Sequence, residues 1–144
     1  MSEDNVTGRL ASYVAELDYQ DLPEDVVAQA KLAIRDSLGC LLGGSTLAAG
    51  QQLSALFLSM AADGQATVAG SQRRVPSPMA GYVNAQLTNL LDFDDTMVEL
   101  GPGHPGATII PAAIAVGEEE GLSGKDLIAA VVASTILRKG TTPW

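Results

Sequence analysis

The segment from Leu22 to Gly44, LPEDVVAQAKLAIRDSLGCLLGG, is typical of one long helix and indicates a helical fold class. Pro23 suits the first helical turn, and the two acids that follow it complement the positive end of the helix dipole. Small and apolar residues then recur on one helical face, at Val26, Ala30, Ala33, Ser37 and Leu41. We expect the paired glycines Gly43 and Gly44 to end this helix. A face of small residues favours closely packed helices.

Helical patterns continue on both sides of this segment. Towards the N-terminus a helix is predicted over 7–19, capped by Thr7; towards the C-terminus, helices are predicted over 46–62, from Ser77 with Pro78 in its first turn, after His104, and from Ser123 with Asp126 completing a capping box. Pro111 either begins or kinks the helix after His104. One short β-hairpin is predicted near 66–76. The sequence therefore predicts an all-α fold, with residues 1–144 forming a single helical domain.

Composition narrows the function classes. Hydrophobic residues make up 47% of the chain, aromatic residues only 4%, and the formal net charge is −9. Without a basic cluster, neither nucleic acid nor an anionic membrane surface is an expected partner. No apolar run has the length of a membrane span, and the acidic N-terminus lacks a signal-peptide core, so a cytoplasmic location is predicted. The single Cys40 lies in an apolar helical pattern and is interpreted as a core thiol.

The reactive side chains gather in residues 90–111, LLDFDDTMVELGPGHPGATIIP. Carboxylates with one histidine suit a hard divalent cation, but the spacing matches neither an EF-hand loop nor a zinc site. An aspartate nucleophile for phosphoryl transfer would need a preceding β-strand, whereas helix is predicted there. General acid/base chemistry at carbon remains, because a histidine side chain changes protonation near neutral pH. The acids alternatively serve only as caps and turn formers.

A geometric hypothesis follows for this segment. Asp92 and Thr96 are four residues apart, so one helical turn would place them on the same face. The Gly/Pro-rich residues 101–103 would then fold the chain back and bring His104 towards them. Asp94 and Asp95 would mainly stabilise the turn or a helix end. The helix N-terminus after His104 would offer unpaired N–H groups to a substrate carboxylate.

The segments VNAQLTNLLDFDDT (83–96) and GHPGATIIPAAIAVGEEEGLSGKDLIAAVVA (103–133) together resemble the MmgE/PrpD family, and the resemblance covers roughly residues 5–135. That family includes 2-methylcitrate dehydratase, cis-aconitate decarboxylase and iminodisuccinate epimerase. The resemblance implies a helical homodimeric enzyme that acts on small di- or tricarboxylates with no metal and no cofactor. It also implies that Asp92, Thr96 and His104 line the active-site cleft. His104 and Asp92 would be catalytic, and Thr96 and His104 would bind substrate.

The chain departs from the family pattern in two places. Asn89 stands where many members carry a histidine, and the tail STILRKGTTPW (134–144) leaves the pattern. A truncated portion of a larger domain would explain this tail, and it would be inactive alone. The leading hypothesis is the N-terminal part of a 2-methylcitrate dehydratase-like lyase, which would form a homodimer or pair with a complementary fragment. The alternatives are an iminodisuccinate epimerase-like enzyme and a non-catalytic remnant or interaction subunit.

Overall fold

The computed structural model describes residues 5–97 and 103–139. This part of the chain contains α1 (Val6–Glu16), a short 3-10 helix (Tyr19–Asp21), α2 (Glu24–Thr46), α3 (Ala48–Met60), β1 (Ala66–Thr67), β2 (Arg74–Val75), α4 (Ser77–Asn89), α5 (Pro105–Glu120) and α6 (Gly124–Lys139). The two strands pair as an antiparallel hairpin. The predicted all-α class with one short hairpin is confirmed.

Helix α4 lies at the centre of the fold. It packs most extensively against α5 and then against α2, while α6 covers α5 and part of α2. Val83 and Leu87 of α4 are fully buried in the main core, which they share with Leu41 of α2 and Ala115 of α5. Ala30, Ile128 and Val132 join α2 to α6 in a second core cluster. The loop that follows α4 is therefore attached to a helix that packs against both α5 and α2.

Helix α2 has the predicted buried face, but its predicted end is wrong. The helix continues through both glycines to Thr46. Gly44 is buried, and a Cβ atom there would overlap the backbone carbonyl of Leu87. The glycine therefore allows α2 and α4 to approach each other closely, which a local pattern of helix stops cannot reveal.

Helix ends differ in how well the sequence predicted them. Asn5 caps α1 in place of Thr7, because the Asn5 side chain accepts a hydrogen bond from the Thr7 N–H. Ser77 does not cap α4; its hydroxyl donates to the Glu119 carboxylate. The capping box of α6 is confirmed, with the Ser123 N–H 2.8 Å from Asp126 Oδ2. The capping box was predictable because both of its side chains signal it, whereas the contact of Ser77 with α5 depends on the tertiary structure.

The sequence left the position of Pro111 in its helix open and predicted a helix over residues 46–62. Pro111 lies inside α5 and is buried, so it does not begin that helix. The helix predicted over 46–62 is α3, Ala48–Met60. No helix among the described residues has the length and apolar character needed to cross a bilayer.

Polar contacts tie the hairpin to both helices of the core. The Glu118 carboxylate of α5 accepts hydrogen bonds from the Thr67 N–H and hydroxyl, at 2.6 and 2.8 Å. Asn84 of α4 bonds to the same loop, accepting from the Ala69 N–H and donating to the Thr67 carbonyl. The hairpin thereby bridges α4 and α5, whose ends carry the candidate site.

Candidate active site

The loop after α4 places Asp92 and Thr96 at the surface. Residues 92–96 are not helical, so the predicted helical turn is wrong. Asp92 has a positive φ of 49°, and its N–H donates to the carbonyl of Asn89 at 2.9 Å. A left-handed residue of this kind redirects the chain after a helix. Both predicted side chains are exposed, and within the described residues neither one makes a hydrogen bond.

The chain then folds back, as expected, and returns to α5. The N–H of Met97 donates to the Gly103 carbonyl at 2.8 Å, and the reverse bond is 3.1 Å long. This bridge closes the loop directly before His104. Residues 101 and 102, which were expected to act as the hinge, lie outside the described residues.

His104 immediately precedes α5 and turns its ring towards the loop. Its Nδ1 atom lies 3.3 Å from Oδ2 of Asp94. Among the described residues, no other carboxylate lies within ion-pair distance of the ring. Nδ1 is buried, but the ring is not oriented for a hydrogen bond between this atom and Asp94. The relative solvent exposure of the whole His104 side chain is 35%. One edge of the imidazole is therefore held inside while another part of the ring remains accessible.

Asp94 bonds to the last residue of α4, as expected of a residue that stabilises this turn, and its carboxylate also faces His104. Its side chain is completely buried beneath the loop. The amide nitrogen of Asn89 lies 3.2 and 3.3 Å from its two oxygens. Asn89 thus supports the carboxylate that faces His104. No feature of the sequence separates Asp94 from Asp92, because both belong to the same acidic run.

Asp95 stabilises a helix end, as predicted. Its Oδ1 accepts the Gly106 N–H of the first turn of α5 at 2.8 Å. Burial raises the pKa of Asp95, and the hydrogen bond from Gly106 opposes that shift. The negative charges of Asp94 and Asp36 raise this pKa further. The expected free N–H at Gly106 is therefore occupied by the protein's own carboxylate, which corrects the hypothesis of an open anion site there.

An open groove of about 550 Å³ adjoins this loop on the side of α2. Leu91 and Phe93 line it from the loop, and Arg35, Asp36 and Cys40 line it from the helix. Cys40 is a buried free thiol, as predicted, and desolvation raises its pKa. Arg35 supplies a positive charge to the groove. Among the described residues, no group of three or more histidine, cysteine or acidic side chains is arranged to hold a metal ion.

Comparison with known proteins gives a consistent result. The MmgE/PrpD N-terminal domain matches residues 8–135. A cis-aconitate decarboxylase-like protein of Aspergillus oryzae is 29% identical over 137 residues, and a cis-aconitate decarboxylase of Aspergillus terreus is 26% identical over 136 residues. These matches cover 90% and 91% of this chain but 28% of each relative. The chain thus spans little more than a quarter of the length of these relatives.

Proposed function

Because this chain belongs to the MmgE/PrpD family, we propose that it forms the N-terminal part of a lyase active site for small di- and tricarboxylates. His104 is the acid/base residue in this proposal. Asp92 orients a reacting group or a neighbouring side chain, and Thr96 donates a hydrogen bond to a substrate carboxylate. The chemistry requires neither a metal nor a cofactor.

The observation that carries the proposal is the half-buried ring of His104 against a fully buried carboxylate. An acid/base group must be held in place and must still reach its substrate. The contact at Nδ1 with Asp94 holds the ring, and the 35% exposure of the side chain leaves access to it. Asp92 and Thr96 are exposed on the same loop, and a substrate can contact them there.

Two lyase reactions fit this arrangement. In the dehydration of a 2-methylcitrate-like substrate, a base removes a proton from carbon, the neighbouring C–O bond breaks, and the leaving hydroxyl takes a proton to become water. In the decarboxylation of a cis-aconitate-like substrate, the C–C bond to a carboxylate breaks, CO₂ leaves, and a proton is delivered to carbon. The similarity to a cis-aconitate decarboxylase and to a cis-aconitate decarboxylase-like protein favours the second reaction. An epimerase needs the same proton transfers without loss of a group.

The charge of the chain argues that this part of the site is incomplete. A polycarboxylate requires positive partners, but the loop itself contributes Asp92, Asp94 and Asp95. Asp36 lies close enough to raise the pKa of Asp95, and Arg35 in the neighbouring groove is the cation that lines this region. Among the described residues that line this groove Arg35 is the cation, so we infer that further positive groups reach the site from elsewhere in the chain, from additional chain or from a partner. The alternative is that this chain is a non-catalytic interaction subunit.

We therefore expect the purified chain of 144 residues to turn over neither substrate above the buffer rate. Positioned groups act together, and catalysis is lost when much of the constellation is missing. The measurement follows water loss from 2-methylcitrate and CO₂ release from cis-aconitate. Robust turnover of either substrate by the chain alone would contradict the expectation.

The catalytic role of His104 is testable in a longer context. Residues 8–135 replace the matching segment of the Aspergillus terreus decarboxylase, and His104→Ala is compared with Gln52→Ala, an exposed position on α3. Loss of an acid/base residue typically lowers turnover about 100- to 10,000-fold, whereas the control should keep full activity. An active chimera that tolerates His104→Ala would refute the proposed role.

A further inference from the structure

The buried carboxylate of Asp94 faces one ring nitrogen of His104. Among the described residues, no lysine or arginine forms an ion pair with this carboxylate. Its Oδ2 lies 3.3 Å from Nδ1 of His104, and its side chain is fully buried. Nδ1 is itself inaccessible to solvent. A buried carboxylate requires donors, and the Asn89 amide supplies one at 3.2 and 3.3 Å from the two oxygens. The ring is the second candidate donor.

We propose that Asp94 is a positioning residue that keeps the neutral His104 ring in the tautomer with its proton on Nδ1. A lone pair on Nδ1 would face a carboxylate oxygen and be repelled, whereas an N–H group is attracted. The other nitrogen, Nε2, then carries the lone pair and becomes the atom that accepts or returns the substrate proton. This catalytic consequence rests on the proposed function, but the tautomer does not.

The contact between His104 and Asp94 lacks only alignment. The Nδ1–Asp94 distance is short enough for an interaction, but the N–H direction is not yet aligned. A rotation of the ring would align its N–H with the Asp94 carboxylate, which also accepts from Asn89.

The neighbouring acids do not replace Asp94 in this role. Asp95 is close enough for His104 to lower its pKa, but its Oδ1 already accepts the Gly106 N–H. Asp36 of α2 acts on this cluster by charge, through its effect on the pKa of Asp95. Asp92 lies on the surface of the loop. Asp94 is therefore the acid that faces Nδ1.

The test uses the fact that the chain contains a single histidine. Selective ¹⁵N labelling of histidine gives two ring-nitrogen resonances, and their chemical shifts distinguish a protonated from an unprotonated nitrogen. At alkaline pH, where the imidazole is neutral, the wild-type chain should show Nδ1 protonated and Nε2 unprotonated. The opposite pattern in the folded wild-type chain would overturn the proposal, and this measurement needs no variant.

Variants then identify the cause. Asp94→Ala should shift the population towards the Nε2-protonated tautomer, Asp94→Asn should retain part of the original preference through its amide oxygen, and the matched control Asp92→Ala should leave the wild-type pattern. An unchanged tautomer in folded Asp94→Ala, judged by circular dichroism, would also overturn the proposal. In the active chimera, Asp94→Ala should lower kcat more than it changes KM, with partial rescue by Asp94→Asn. An inactive chimera with the expected tautomer would count against the proposed function and leave the positioning role intact.

Discussion

Asp95 combines a helix-end hydrogen bond with an electrostatic penalty. It accepts the Gly106 N–H at 2.8 Å, but burial raises its pKa above the ordinary 3.8. The folded chain therefore binds the Asp95 proton more tightly than the unfolded chain does. The resulting stabilisation is fully present below the unfolded pKa and is lost as the pH rises through the folded pKa.

Asp95→Asn removes this titration and keeps an oxygen that can accept the Gly106 N–H. The free energy of unfolding of the wild type minus that of the variant should be largest at the acidic end and should fall as the pH rises past 3.8. Urea unfolding of both proteins from about pH 3 to about pH 7 measures the difference, in which the titration of the other carboxylates cancels. A difference that grows with pH would show that the hydrogen bond outweighs desolvation.

Helix α2 offers two glycines with opposite expected responses. A Cβ atom at Gly44 would overlap the backbone of Leu87 in α4, whereas at Gly39 it would meet nothing within 4 Å. Gly44→Ala forces two core helices apart and should destabilise the fold by about 3 kcal/mol or more. Gly39→Ala, in the middle of the same helix, should stabilise it by about 0.5–1 kcal/mol.

Thermal and urea unfolding of the two variants give a matched comparison, because the chemical change is the same. The difference between their unfolding midpoints measures how strongly stability depends on the close approach of α2 and α4. Equal stability of Gly44→Ala and Gly39→Ala would mean that the helices relax apart freely, and would contradict the close approach.

The surface around the loop and α2 is unusually apolar for a chain with a net charge of −9. Phe93 is 81% exposed, Leu42 60% and Leu32 46%. Apolar burial stabilises by about 25 cal/mol per Å², so this surface favours a partner. We expect the chain to self-associate or to bind a complementary fragment of the family fold.

Phe93→Ser should shift this association towards monomer and reduce the binding of a hydrophobic dye. Val6→Ser is the matched control, because Val6 is also largely exposed, at 68%, but lies in α1. Light scattering at several concentrations gives the oligomeric state. A monodisperse wild-type monomer that binds no dye would contradict the expectation.

The positions of the helices could be predicted from the sequence, because their signals are local. The periodic face of α2, the hairpin near 66–76 and the Ser123–Asp126 capping box each depend on residues a few positions apart. The sequence also indicated a candidate site, because the acids and the only histidine lie in one short segment. The role of Asp95 at a helix end was predicted, but its partner, the Gly106 N–H, was expected to be free.

Which acid faces His104 could not be predicted from the sequence. Asp92, Asp94 and Asp95 are chemically alike, and their directions depend on the left-handed backbone at Asp92 and on the bridge between Met97 and Gly103. Likewise, Gly44 is a helix stop by local rules, but the approach of α4 keeps it inside α2. Contacts between segments distant in the chain outweigh local preferences of about 1 kcal/mol, because they bury several groups at once.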